Sequence, residues 1–406
     1  MIPILCGTGK ADITPGKNLL PMPLLGPLKF THINDHIFVR SLAFQSGNEK
    51  CLIISLELTL VPYAEELIAE ISEKIHLARE NILLCATHTH EATPLCLPQM
   101  FPYTSEETGK CNHWFSNKKK ALFTAVKDSL ASLKPCKIGF GTGKSYVNCN
   151  RDEVKTGDKA EIGFNFERPS DKTLKLVRIE DENGALIAVL VNYACHAVVM
   201  NGCIENGGVG ISGDLPGRTS AAIESDYPGC VCIWTSGAAG DQNPRMMTNF
   251  GVKLVDGKPE YQNLGESGHL VLELLSEEHI RDVKRVLSKI NCSLAKGNIS
   301  CRQSICRCPK TDGEEMEYLC SVLSVGGLLF EGVNGEMPTS IGASIIRSSS
   351  ADNVLFVTHA NGYRGYIPDD WQLEHNSFEA EGVPLRLGCA DRKFTETFIK
   401  LIQEIQ

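Results

Sequence analysis

The stretch Asn81-Ile-Leu-Leu-Cys-Ala-Thr-His-Thr-His-Glu-Ala-Thr-Pro94 constrains this chain more than any other. Ile82 to Ala86 reads as a buried strand, and it runs out into a polar turn that carries His88 and His90. Residues two apart on an extended backbone point the same way, so a strand end can aim both imidazoles into one pocket. Imidazole is the commonest side-chain ligand for a metal, and two polar rings at the tip of an apolar strand must find partners. A metal site built on strand ends is therefore expected. The plainer alternative is a pair of solvated loop histidines.

Other apolar runs end in the same way. Two strand-like runs, Ile37 to Gln45 and Lys50 to Leu56, flank the turn Ser46-Gly-Asn-Glu49 as a hairpin, with Glu57 at the second tip. An amphipathic helix from about Tyr63 to Ala78 leads into strand 82–86, a crossover unit of an α/β layer. Residues 98–117 are expected to form a long, aromatic-rich loop, followed by a helix over 117–133 and a polar turn, Asn148-Cys-Asn-Arg-Asp152, holding Arg151. Strands 175–179 and 186–192 form a hairpin whose second arm ends at His196. Asp214 precedes a helix to about Ser225 and is read as its cap or as a residue facing the site. Strand 231–235 exits into Ser236-Gly-Ala-Ala-Gly-Asp-Gln-Asn-Pro-Arg245, small residues whose N–H groups could receive an anionic oxygen. A long helix over 268–287 follows, and the best candidate for an internal boundary is 291–317. Strands at 318–324, 328–331 and 354–358 lead to polar tips holding Glu336 and Tyr366.

With 406 residues, 42% hydrophobic and 22% charged, the chain can bury a large core. A net charge of -9 argues against nucleic acid as a partner, and Lys118-Lys119-Lys120 reads as a solvated helix start. No apolar run approaches a membrane span, and the N-terminus lacks the pattern of a secretion signal. Most of the 17 cysteines sit singly inside apolar runs, which fits a reduced, cytoplasmic setting. Cys301, Cys306 and Cys308 form one tight cluster without a fourth ligand nearby.

Six motifs then fall in one order: Thr87-His-Thr-His90, Asn192-Tyr-Ala-Cys-His196, Ser212-Gly-Asp214, Ala239-Gly-Asp241, Gly335-Glu336 and Asn361-Gly-Tyr-Arg-Gly-Tyr366. With them, from Lys10-Ala-Asp-Ile-Thr14 to Phe378-Glu-Ala, the chain resembles the catalytic domain of the neutral (non-lysosomal) ceramidases, zinc amidases that cleave an N-acyl bond. The resemblance implies an α/β fold, a multi-layer domain with mixed β-sheets flanked by helices, spanning residues 1–406 as a single domain. It implies zinc (Zn2+) ligands at His88, His196, Glu336 and Tyr366, and active-site positions at His90 and Arg151. Two imidazoles, a carboxylate and a hydroxyl also suit a hydrolytic zinc chemically, leaving room for a water acidified towards a pKa of about 7.

Three departures stand out. Asn243 occupies the position of the family's serine, where it can donate to an oxyanion but not act as a nucleophile. Phe378 replaces an expected tyrosine, and the protein is expected to lack the family's C-terminal β-sandwich domain and secretion signal. The expected function is zinc-dependent hydrolysis of an amide, with His90 as proton carrier, Arg151, Asn243 and the backbone of 237–240 at the oxyanion, and Asp241 in the catalytic set. The expected partner is a small, polar N-acyl compound rather than ceramide, with homo-oligomerisation left open. The alternatives are cleavage of an ester or glycosidic bond on the same fold, or a metal-binding relative without catalysis.

Overall fold

The computed structural model describes residues 2–24, 28–61, 63–92, 103–154, 158–205, 207–349 and 351–405. Its largest sheet is nine-stranded. In chain order its main strands are β1 (Ile4–Asp12), β2 (Phe38–Ser46), β3 (Glu49–Leu56), β4 (Ile82–Ala86), β5 (Lys134–Lys144), β7 (Thr173–Asp181), β8 (Leu186–Tyr193) and β9 (Val231–Ser236). They lie in the order β9-β8-β7-β5-β1-β2-β3-β4, with Ser293–Leu294 added beside β5. A second sheet orders β10 (Ile299–Pro309), β11 (Glu315–Val325), β12 (Leu328–Val333) and β13 (Val354–Val357). Both sheets are mixed: β3/β4, β8/β9 and β12/β13 are parallel pairs among antiparallel neighbours.

Strand alternation makes the layers. On β3, Ile53 faces a core shared with the second sheet, while Leu52 and Ile54 face helices. On β4, Leu83 and Cys85 take the first side and Ile82, Leu84 and Ala86 the other. Both faces are covered, so these strands read as unbroken apolar runs. The inter-sheet core joins Ile4, Phe44, Ile53, Leu190 and Ile233 to Leu323, Phe330 and Val357. Helices α1 (Ala64–Ile75) and α2 (Ser105–Ala131) cover one end of the large sheet, and α3 (Asp214–Asp226) and α4 (Gly268–Leu287) the other. Helices α5 (Thr339–Ser348) and α6 (Ala390–Ile405) cover the second sheet. The result is helix, sheet, sheet, helix.

Several expectations need correction. Residues 98–102 of the expected long loop lie outside the described residues, but from Ser105 the chain is already helix. Thr104 and Glu107 form a reciprocal capping box, and Trp114 is buried with its Nε1 donating to the Ile13 carbonyl at 2.8 Å. Lys118 to Lys120 fall in the middle of this helix, where Lys119 pairs with Glu70. Residues 148–152 are not a turn but the start of β6 (Asn148–Val154), between Gln242–Pro244 and Ala160–Asn165. Its polar side chains are buried because they have partners: Asn148 Nδ2 donates to the carbonyls of Asp171 and Ala194, and Asn150 Nδ2 to the Asp241 carboxylate. Stretch 291–317 contains hydrogen-bonded strands of both sheets rather than a linker. Glu57 turns from its strand tip to a buried ion pair with Arg40. Asp214 neither caps its helix nor faces the histidines: it sits at φ 51° and accepts from the N–H groups of Val199, Met200 and Leu215.

All 16 described cysteines are free, and 15 are buried. Cys301 packs in the inter-sheet core, whereas Cys306 and Cys308 lie 4.0 Å apart under α6, so the three do not face one site. Among the described residues no helix is long and apolar enough to cross a membrane.

Candidate active site

The chain leaves β4, β8, β12 and β13 at their C-terminal ends and delivers one titratable side chain after another to a common point. Isolated bridges tie these exits together: Thr89 to Ala197, Cys85 to Ala360 and Glu336 to Tyr366. Further backbone bonds run from His90 N to Ala197 O, His196 N to Gln242 O and Glu336 N to Gly365 O. Gly240 lets the β9 exit press against this strand end, since a Cβ there would come 2.9 Å from the Glu336 carbonyl oxygen.

Four donor atoms converge. His88 Nε2 and His90 Nε2 are 3.2 Å apart. Glu336 Oε2 is 3.1 Å from His196 Nε2 and 3.5 Å from His88 Nε2. Ligand atoms bonded to a tetrahedral zinc at 2.0–2.1 Å stand about 3.3 Å from one another, and the distances of Glu336 Oε2 from His196 Nε2 and His88 Nε2 fit that spacing. The ring orientations agree: His88 Nδ1 meets the Thr59 carbonyl at 2.7 Å and His196 Nδ1 the Ala239 carbonyl at 2.7 Å, which turns each Nε2 inward. His88–His90–His196 and His88–Glu336–His359 are both groups that could hold a metal.

Burial and neighbouring charge set the protonation states. Burial, then the Arg151 guanidinium, pushes His196 down to about 4. Burial, then His88 and His196, holds His90 well below its ordinary value. Burial opposes ionisation of Glu336, yet His88 and His196 outweigh it and hold the carboxyl well below its usual range. Neutral imidazoles at His90 and His196 beside an ionised Glu336 carboxylate suit a divalent cation.

Arg151 is buried and joins the parts. Its Nε donates to Glu379 Oε1 at 2.7 Å, its Nη2 to Tyr366 Oη at 3.0 Å and its Nη1 to Asn243 Oδ1 at 3.3 Å. Nη1 also lies 3.1 Å from His196 Nε2. Tyr366 therefore meets the cluster through Arg151. Asp241 is adjacent in sequence but differently employed: its carboxylate accepts from Asn150 Nδ2, Gln242 Nε2 and Thr339 N, and so braces β6 against the start of α5. Of the expected oxyanion donors in 237–240, Gly237 N and Gly240 N already donate to the Tyr193 and Met337 carbonyls. Arg245 points its guanidinium at Glu278 and the Tyr146 carbonyl.

Three residues at the site were not assigned from the sequence. Glu379 lies within the quoted Phe378-Glu-Ala run. Tyr363 donates its hydroxyl to Glu336 Oε1 at 2.8 Å. His359 stacks on His88 with ring centroids 3.8 Å apart. A sequence signal for His359 existed, since Thr358-His359 follows an apolar strand just as Thr87-His88 does.

The model of the neutral/alkaline non-lysosomal ceramidase N-terminal domain matches residues 5–258. The chain belongs to this ceramidase family. A curated relative, neutral ceramidase B of Dictyostelium discoideum, is 30% identical over 155 residues, which cover 37% of this chain and 20% of that protein. The solved neutral ceramidase of Pseudomonas aeruginosa superposes with a TM-score of 0.77 at 15% identity, over 99% of this chain and 74% of that one. A ceramidase solved in complex with C2 gives a TM-score of 0.74 at 14% identity, over 99% and 75%. The multi-layer fold with mixed sheets is thus the ceramidase hydrolase fold.

Proposed function

We propose that the chain is a zinc-dependent hydrolase that cleaves an N-acyl amide bond with water. The observation that carries the reading is the convergence of His88 Nε2 and His196 Nε2 on Glu336 Oε2, at 3.5 and 3.1 Å, with His90 Nε2 3.2 Å from His88 Nε2. His88, His196 and Glu336 would hold the ion, with Tyr366 as the fourth ligand the family resemblance implies. Bound there, zinc supplies Lewis-acid chemistry, polarising a carbonyl and acidifying a water.

The chain's own residues do the rest. His90, neutral at pH 7, accepts the proton of the attacking water and returns it to the leaving nitrogen. Asn243 Oδ1 accepts from Arg151 Nη1, which leaves the Asn243 Nδ2 to donate to the developing oxyanion. Arg151, fixed by Glu379, presents positive charge to the same oxygen. This compact polar wall favours a small, polar N-acyl substrate. His88→Ala and His196→Ala should each abolish zinc binding and amide turnover together. A variant that keeps one zinc per chain and full turnover would overturn the assignment.

A further inference from the structure

Tyr363 and Tyr366 turn their hydroxyls to Glu336 and Arg151. Arg364, between them on the same loop, instead lines a cavity of about 280 Å³ that no histidine of the active site enters. The cavity lies between helix α1 and strands β10 and β11, with Ile68, Ile305 and Leu319 as its apolar wall. Two buried asparagines also line it. Asn361 is fully engaged, its Oδ1 accepting from Leu84 N at 2.7 Å and its Nδ2 donating to Ser321 Oγ at 3.2 Å. Asn334 Oδ1 accepts from Leu319 N at 2.8 Å, and its Nδ2 is left as a donor without a partner among the described residues.

Charged groups of both signs stand unanswered here. Arg79 and Arg364 bring two guanidinium groups and α1 brings Glu65, and among the described residues none of the three side chains makes a hydrogen bond or ion pair. The other acid of the lining, Glu317, already accepts from Arg307 Nε at 2.9 Å. Arginine's planar fork matches a carboxylate with two parallel hydrogen bonds, and an amide N–H adds a third donor. A free carboxylate such as Glu65 complements an ammonium. An α-amino acid carries both charges on one carbon, and the apolar wall suits a branched aliphatic side chain. The volume, at the low end for small-molecule sites, suits a single residue rather than a peptide. We propose that this cavity binds a free aliphatic α-amino acid, its carboxylate answered by Arg79, Arg364 and Asn334 and its ammonium by Glu65. The site needs no metal, and it goes beyond the amidase reading.

Saturation-transfer NMR titration of the full chain with L-leucine, isocaproate and isoamylamine separates the two charges, because isocaproate lacks only the ammonium and isoamylamine only the carboxylate. Leucine should bind saturably, with a Kd of about 1 mM or tighter. Each single-charge analogue should bind at least about tenfold more weakly. Arg79→Gln and Glu65→Gln, at exposed positions outside the active site, should each weaken leucine about tenfold. No saturable binding of leucine would overturn the inference. Isocaproate binding as tightly as leucine would also overturn it, since Glu65 would then have no part. Leucine affinity within about twofold of the unsubstituted chain in both variants would place the ligand elsewhere and overturn it equally.

Discussion

At the scale of single residues, two buried carboxyls among the described residues, Glu91 and Glu331, go without a hydrogen-bond partner, and Glu331 yields a test. Both oxygens of this fully buried carboxyl lack a hydrogen-bond partner. Burial pushes its pKa up to about 8, against the opposing pull of Lys175. The unfolded chain releases this proton near the ordinary value, about 4.5. Between the two values the folded state binds more protons, so stability is full below about pH 4.5 and falls as pH rises towards 8. Glu331→Gln, neutral throughout, should match the unsubstituted chain near pH 4.5 and exceed it by on the order of 4 kcal/mol at pH 8. Denaturant unfolding at both pH values checks this, and parallel curves would refute it. Legibility at this scale followed local context. His88, His90 and His196 could be read because each breaks an apolar run. Tyr363, Glu379 and the bracing role of Asp241 depend on partners far away in sequence, and no local pattern announces them.

At the scale of elements, strands buried on both faces were the easiest to read, since β3, β4, β8 and β9 are continuous apolar runs. Helix α4 was legible for its length and periodicity. Strand β6 was not, because its asparagines and aspartate resemble a turn and tertiary partners overrode that preference. The early start of α2 was signalled by Thr104 and Glu107, a capping box within polar sequence. The helix that covers the second sheet has its own test. In α6, Phe394 packs against Tyr318 with ring centroids 5.3 Å apart, and Phe398 against Phe356 at 5.8 Å. Phe394→Ala should cost about 3–5 kcal/mol of stability, read by denaturant unfolding. A loss below about 1 kcal/mol would mean that α6 is not an integral layer.

At the scale of the whole molecule, the site belongs to neither sheet alone. His88 and His196 come from exits of the nine-stranded sheet, whereas Glu336, His359 and Tyr366 follow strands of the four-stranded one. The inter-sheet core that joins Ile53 and Leu190 to Phe330 and Val357 therefore also sets the spacing of the donors. The six ordered motifs made this arrangement legible as a resemblance, because each marks a strand exit; the distances needed the packed layers. The most direct test is metal content measured together with hydrolysis of N-acyl amides: a short-chain ceramide, N-acetyl sugars and N-acyl amino acids. The account predicts one zinc per chain and cleavage of at least one amide, lost on chelation and restored by zinc. Amide cleavage by a metal-free chain, or a zinc-loaded chain that cleaves no amide, would contradict it.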